Sequence, residues 1–333
     1  MLYHLFEWFK QEGIKMPGGA LFQFITFRVL LAILLSLAIT SVYGKRLINF
    51  LVKKQVGETV RDLGLAGEQQ KKGTPTMGGL IIILGILVPT LLLANLDKAY
   101  IRLMILSTIW LGVVGFIDDY LKLRSKRIAQ TQGIAYKKGD KDGLAGWFKI
   151  AGQVGLGLII GLTLLFNDNT KAYREFTGDA STLNPKDVIF MKGSDGKNRS
   201  FVKSDVPVTT IPFVKSHEFN YSKLLPEAVR GYSWVLYLLV VIFIITAVSN
   251  GANITDGIDG LATGVSAIIG VCLGIFAYAS GNIRFADYLN IMYIPNLGEL
   301  SIFIAAMVGA CIGFLWYNAY PAQVFMGDTG SLT

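Results

Sequence analysis

Residues 20–42 read ALFQFITFRVLLAILLSLAITSV, and residues 77–96 read MGGLIIILGILVPTLLLANL. The first stretch carries one charge, Arg28, and the second carries none. A helix needs about 20 apolar residues to cross a bilayer, so both stretches read as spans. Five further blocks behave alike: 99–117 with Arg102 near its end, 144–166 with Lys149 near its start, 232–249, 261–281 and 300–316. Lipid offers the backbone no hydrogen-bond partners, so these spans are predicted as helices rather than strands. Gly152, Gly155, Gly157 and Gly161 in one span suit close helix–helix approach. The fold class expected is an all-α polytopic membrane protein with at least seven transmembrane helices.

Composition agrees. Of 333 residues, 52% are hydrophobic and 16% charged, against about 25% charged in soluble domains. Disorder and an ordinary soluble enzyme are both excluded. The net charge of +8 reads as topology and attraction to anionic headgroups rather than as nucleic-acid binding. Cys272 and Cys311 both lie inside apolar blocks, with no Cys-x-x-Cys spacing, so neither a disulfide framework nor a thiolate metal site is expected. Residues 1–19 show no cleavable signal pattern. Leu2, Leu5, Phe6, Trp8 and Phe9 suit a short amphipathic helix at the interface.

Parity sorts the connections. Segments 43–76, 118–143, 250–260 and 317–333 share one side of the membrane. The N-terminus 1–19, the turn near Asp97, the stretch 167–231 and the loop 282–299 share the other. Segment 43–76 holds seven Lys/Arg against three acids, and 118–149 eight against four; short loops this basic mark the cytoplasmic side. The organisation expected is therefore spans 20–166, an extracytoplasmic and partly β insertion at 167–231, then spans and loops over 232–333. His4 and His217 fall opposite the basic loops and read as surface residues.

Three acidic clusters stand at the basic-side ends of spans: Asp118-Asp119, Asn253-Ile254-Thr255-Asp256-Gly257-Ile258-Asp259-Gly260, and Met326-Gly327-Asp328-Thr329-Gly330-Ser331. Any one of them can be a solvated helix end or a structural ion pair. Three on one side, flanked by glycine where lysine and arginine would favour retention, point to a shared site. Asn253, Asp256 and Asp259, three apart, would cover one helical face, whereas the adjacent Asp118 and Asp119 diverge by about 100°. Carboxylates brought together need positive charge between them, and hard oxygen donors without His or Cys favour Mg²⁺. On the same side Lys71-Lys72-Gly73-Thr74-Pro75-Thr76-Met77-Gly78-Gly79 leads into a span with the features of an anion-binding turn at a helix N-terminus. Ordinary turn chemistry before a span accounts for that stretch equally well. Acids, a metal and lysines together suggest phosphoryl transfer at the bilayer edge, between a water-soluble and a lipid substrate.

These motifs, with Asn318-Ala319-Tyr320-Pro321-Ala322-Gln323-Val324-Phe325 leading into the third cluster, resemble the phospho-N-acetylmuramoyl-pentapeptide-transferases. That family is the MraY translocases, within the polyprenyl-phosphate N-acetylhexosamine-1-phosphate transferases. The resemblance runs in order along the chain outside the insertion. It implies transfer of phospho-MurNAc-pentapeptide from its UDP carrier to undecaprenyl phosphate, giving lipid I and UMP with Mg²⁺, at the cytoplasmic face of the bacterial plasma membrane. It also admits a homodimer. By position, Asp328 matches the family's Mg²⁺ ligand, and Asp118 and Asp119 its catalytic pair, one of which deprotonates the lipid phosphate. Asn253, Asp256 and Asp259 match a polar face beside the nucleotide, and Asn318 and Phe325 a nucleoside pocket with an aromatic platform. Lys71 or Lys72, Thr76 and Lys122 match phosphate-side and nucleotide-side contacts. Lys149 and Gln153 lie in a matching Gly-Leu-x₄-Lys-x₃-Gln stretch.

The family pattern continues past Gly-Asp-x-Gly-Ser with further spans and a His-rich motif that residues 1–333 do not contain. A GlcNAc-1-phosphate transferase shares the paired acids and the later Asn/Asp motif. An intramembrane aspartyl protease built on Asp118 and Asp328 would need a proton-sharing pair rather than a wider cluster. A carrier would place its charges mid-span in broken helices.

Overall fold

The computed structural model describes residues 1–14, 16–54, 74–132, 143–176, 184, 187–192, 198–204, 207–210 and 218–333. Helices dominate: α1 (Leu2–Gln11), α2 (Ile25–Lys54), α3 (Gly79–Leu93), α4 (Ala99–Thr131), α5 (Gly146–Phe166), α6 (Ser233–Thr255), α7 (Leu261–Ser280), α8 (Ile283–Leu289), α9 (Leu300–Asn318) and the short α10 (Asp328–Ser331). Among the described residues six helices are long and apolar enough to cross a membrane: α2, α4, α5, α6, α7 and α9. The second expected span, 77–96, is a shorter helix of 15 residues.

Helix α3 is short because both of its ends are taken by other segments. At its start Gly78 and Gly79 donate their amides to the Phe325 and Met326 carbonyls at 2.9 and 2.8 Å. At its far end the orphan carbonyls are met from elsewhere. The Met1 amino group bonds Leu91 O and, at 3.2 Å, Leu92 O, and Arg28 Nη1 donates to Leu93 O at 3.2 Å. Two other helices outrun their apolar blocks. Helix α4 continues to Thr131 and α6 to Thr255, so Asp118, Asp119 and Asn253 sit on helices rather than in loops. His4 is no plain surface residue either: its Nε2 accepts the Leu96 amide at 3.2 Å. His217 lies outside the described residues.

The core is α9. Fourteen of its 19 residues are buried, as expected of a helix apolar all round, and it packs against α2, α7 and α3. Its contact with α2 is close: a Cβ on Gly313 would lie 1.8 Å from Thr40 Oγ1. Ser36 Oγ donates to Ala306 O and Tyr317 Oη to Ser41 O, both at 2.7 Å. The glycine-rich side of α5 lies against α6, with Gly157 on Ile242 and Gly161 on Leu238.

At the end of the bundle away from Asp118, the insertion forms two small antiparallel sheets, as its alternating runs predict. One has the order β1 (Tyr173–Phe176), β3 (Asn198–Lys203), β2 (Val188–Lys192), with Phe201 buried; the other pairs β4 (Val208–Thr210) with β5 (Glu218–Asn220). The first sheet is tied to the α7–α9 connection by Arg199 Nη1 to Asp287 Oδ1 at 2.7 Å and by Tyr173 N to Tyr293 O at 2.7 Å.

Arg28, the lone charge of the first apolar stretch, is 1% exposed. Its guanidinium forks onto Glu299, with Nη1 to Oε2 at 2.7 Å and Nη2 to Oε1 at 2.5 Å, and lies over the Tyr3 ring. Removing one partner leaves a buried charge without its counter-ion, which costs about 3 kcal/mol or more. Glu299→Ala is therefore expected to lower the melting temperature of the detergent-purified protein sharply, with recovery when Arg28→Leu is added. A melting temperature unchanged by Glu299→Ala would refute the pairing.

Candidate active site

The site is assembled where the segment after α9 folds back into the bundle. Asn318, 3% exposed, ends α9 and shapes the turn that follows. Its Oδ1 accepts from Gly260 N and Thr263 Oγ1, both at 3.1 Å, and its Nδ2 donates to Val324 O at 2.9 Å. The strap 319–327 then runs beside residues 75–79, with Phe325 N bonded to Pro75 O at 2.9 Å. It enters α10 between α3 and α4. The fit there is tight enough to require glycine: a Cβ on Gly79 would lie 2.2 Å from Gly330 N, and one on Gly115 2.2 Å from Asp328 O.

That passage brings Asp328 against the pair on α4. Ligand oxygens of Asp118, Asp119 and Asp328 lie within 4.8 Å of one another. The adjacent acids diverge as the helical geometry predicts. Asp119 turns to the strap and accepts Asp328 N at 3.2 Å, Thr329 N at 2.8 Å and Thr329 Oγ1 at 2.6 Å. Asp118, fully buried, turns to cations: its Oδ2 lies 2.5 Å from Lys122 Nζ and 3.0 Å from Lys149 Nζ, while Oδ1 accepts Leu144 N at 2.7 Å. Both lysines also reach Asp328 Oδ2, Lys122 at 2.9 Å and Lys149 in a shorter contact. Asn253 Nδ2 donates to Asp328 Oδ1 at 2.9 Å and to Ser331 Oγ at 2.8 Å. Burial alone would raise the Asp328 pKa. Hydrogen bonding with Asp118 and the charges of Lys122 and Lys149 outweigh it and hold the carboxyl well below the usual carboxylate range.

Among the described residues three hard carboxylates gather here without His or Cys, a set that suits a hard divalent cation. In this structure the positive charge between Asp118 Oδ2 and Asp328 Oδ2 comes from the two ammonium groups.

Two expectations change. Helix α6 ends at Thr255 and Gly260 takes φ +74°, so Asn253, Asp256 and Asp259 do not share a helical face. They reach the strap separately, Asp256 Oδ2 accepting Gly327 N at 2.9 Å and Asp259 Oδ2 accepting Ala322 N at 3.2 Å. The start of α3 is also not an open anion site, since the amides from Gly78 to Ile81 all have backbone acceptors. Thr76 and Phe325 are half-buried beside this contact; Lys71 and Lys72 lie outside the described residues. Sequence reasoning passes over Thr329 and Ser331. Their hydroxyls two apart after an acid, in Asp328-Thr329-Gly330-Ser331, are the available signal.

Fold and site together define a multi-pass membrane protein with a carboxylate–lysine centre built where α4, α5, α6 and α10 meet. Residues 195–333 match the model of glycosyl transferase family 4, and residues 71–83 match signature 1 of the phospho-N-acetylmuramoyl-pentapeptide-transferases. A relative from Flavobacterium psychrophilum bearing that enzyme name is 52% identical over 336 residues, covering 100% of this chain and 77% of its own length. One from Amoebophilus asiaticus is 52% identical over 332 residues (100% and 76%), and one from Porphyromonas gingivalis 50% over 342 (100% and 74%). The chain belongs to the phospho-N-acetylmuramoyl-pentapeptide-transferase family.

The glycine at 115 carries a direct test of this packing. Gly115→Ala forces the start of α10 away from α4 and with it Thr329 from Asp119. A loss of several degrees in melting temperature is expected, as for an overpacked site costing about 1–3 kcal/mol. An unchanged melting curve would show that the strap does not lie where the structure puts it.

Proposed function

We propose that this chain transfers phospho-MurNAc-pentapeptide from its UDP carrier to undecaprenyl phosphate, releasing UMP and forming lipid I. The basic segments 43–76 and 118–149 orient the centre toward the cytoplasm of a bacterial plasma membrane. The observation that carries this reading is the convergence of Lys122 and Lys149 on Asp118 and Asp328. A nucleotide diphosphate can reach that position from water and a polyprenyl phosphate from the bilayer. The bond that forms joins an oxygen of the lipid phosphate to the sugar-bearing phosphorus. The bond that breaks is the diphosphate bridge, whose oxygen leaves on UMP.

Such a transfer is mostly positioning and charge neutralisation. Lys122 and Lys149 exchange carboxylate partners for phosphate oxygens as the substrates enter. Asp118 is released by that exchange and is placed to take the proton of the lipid phosphate. Asp119 stays bonded to the strap and keeps Asp328 in position. Phe325 offers a ring on which uracil can stack, with Asn318 holding the strap that carries it. Lys71 or Lys72, Thr76, Asp256 and Asp259 complete the nucleotide side. Asp328 would hold Mg²⁺, which when bound neutralises charge on the diphosphate.

UMP release from UDP-MurNAc-pentapeptide with undecaprenyl phosphate, followed with Mg²⁺ and with EDTA, tests this. Mg²⁺-dependent release is expected. Release only from UDP-GlcNAc would keep the chemistry and change the substrate, while turnover indifferent to chelation would refute the metal-assisted transfer. Asp328→Asn is expected to lower turnover by more than about 100-fold, beyond what loss of an outer-shell partner costs; near-normal turnover would remove its role. Phe325→Ala should weaken uridine nucleotide binding roughly tenfold by calorimetry, and unchanged affinity would remove the stacking.

A further inference from the structure

One turn deeper in the bundle than the carboxylates lies a polar cross-link that the reaction as described does not use. Gln153 on α5 is 1% exposed and Ser249 on α6 is 7% exposed. Gln153 Nε2 donates to Ser249 Oγ at 3.2 Å, and Gln153 Oε1 accepts from Asn250 Nδ2 at 2.8 Å. Ser249 Oγ in turn donates to Leu332 O at 2.9 Å, a carbonyl at the C-terminal end of α10. Uncompensated polar groups are costly at this depth, so a buried amide and hydroxyl between two apolar helices need a reason.

Their spacing supplies it. Gln153 is four residues after Lys149, and Ser249 four before Asn253, so each pair shares one helix face. Lys149 and Asn253 are the groups that α5 and α6 send to Asp328, one to Oδ2 and the other to Oδ1. The Gln153–Ser249 bond therefore fixes the two helices against each other one turn from the point where both grip the same carboxylate. Its continuation to Leu332 O anchors the far end of the short helix whose first residue is Asp328.

We propose that Gln153 and Ser249 are positioning residues that set the register of α5, α6 and α10, so that Lys149 and Asn253 address opposite oxygens of Asp328. They touch neither substrate; they act through Lys149, Asn253 and the strap. The kinetic consequence rests on the phosphotransfer proposed above, whereas the structural consequence does not.

The experiment compares Ser249→Ala, Gln153→Leu, their double variant and Ser249→Thr in the full-length protein, by two readouts. The first is hydrogen–deuterium exchange of the backbone amides of residues 328–332, with the β3 amides as internal reference. Exchange about tenfold faster in Ser249→Ala and Gln153→Leu, with β3 unchanged, is expected. The second is UMP release per folded molecule. A fall in kcat of about 10-fold with KM for the donor within twofold is expected. The double variant should be no worse than the poorer single, because both act through one strut, and Ser249→Thr, which keeps the hydroxyl, should restore kcat. Ser249→Ala removes a single oxygen and so decides the case if Gln153→Leu does not fold. Unchanged exchange at 328–332, a kcat that stays within twofold, or losses that multiply in the double variant would each overturn the proposal. If the unaltered protein releases no UMP, the phosphotransfer reading fails on its own, and the exchange data alone decide the strut.

Discussion

Asp119 accepts three hydrogen bonds, all from Asp328 and Thr329, and the site depends on them. A non-helical segment that returns into a packed bundle must find acceptors for its amides. The strap between α9 and α10 finds them in side chains and backbone alike: Asp259 for Ala322, the Pro75 carbonyl for Phe325, Asp256 for Gly327 and Asp119 for the first two residues of α10. Several of the acids that read as a ligand set are thus acceptors for backbone. The carboxylates that face cations are Asp118 and Asp328.

The spans are legible because uncharged apolar runs of such length seldom occur outside a membrane-crossing helix, and the loop charges follow from the same physics. Helix ends are not. Beyond the apolar block a helix can continue with polar residues, and α4 does so through Asp118, Asp119 and Lys122 to Thr131 without any change that hydropathy registers. Helix α3 shows the converse, since its apolar run outlasts the helix at both ends. Arg28 stands out as a lone charge in an apolar stretch, but its partner lies 271 positions away at Glu299, just ahead of another span. Pairing at that distance is a property of the packed bundle and leaves no local mark.

For the site, residue types are readable and assignments less so. Acids at span ends are costly enough to be noticed, which is what singles out Asp118, Asp119, Asp256, Asp259 and Asp328. The spacing of Asn253, Asp256 and Asp259 suggests one helical face, yet α6 ends at Thr255 and the left-handed Gly260 begins the next helix, so the later two acids lie in the turn between them and reach the strap. At Gly78-Gly79 the helix N-terminus reads as a place for an anion, and the strap's carbonyls fill it instead. In both cases the missing information is the path of residues 319–327, which no local pattern encodes.

The charge balance explains why lysines stand where acids gather. Two carboxylates, Asp118 and Asp328, face two ammonium groups, while the third, Asp119, is held by hydrogen bonds from Asp328 and Thr329. Without the lysines the acids would repel one another and loosen the contact between α4 and α10. On the proposed reaction a diphosphate would recruit the same ammonium groups, and by taking them would expose Asp118 and Asp328 to the cation it brings.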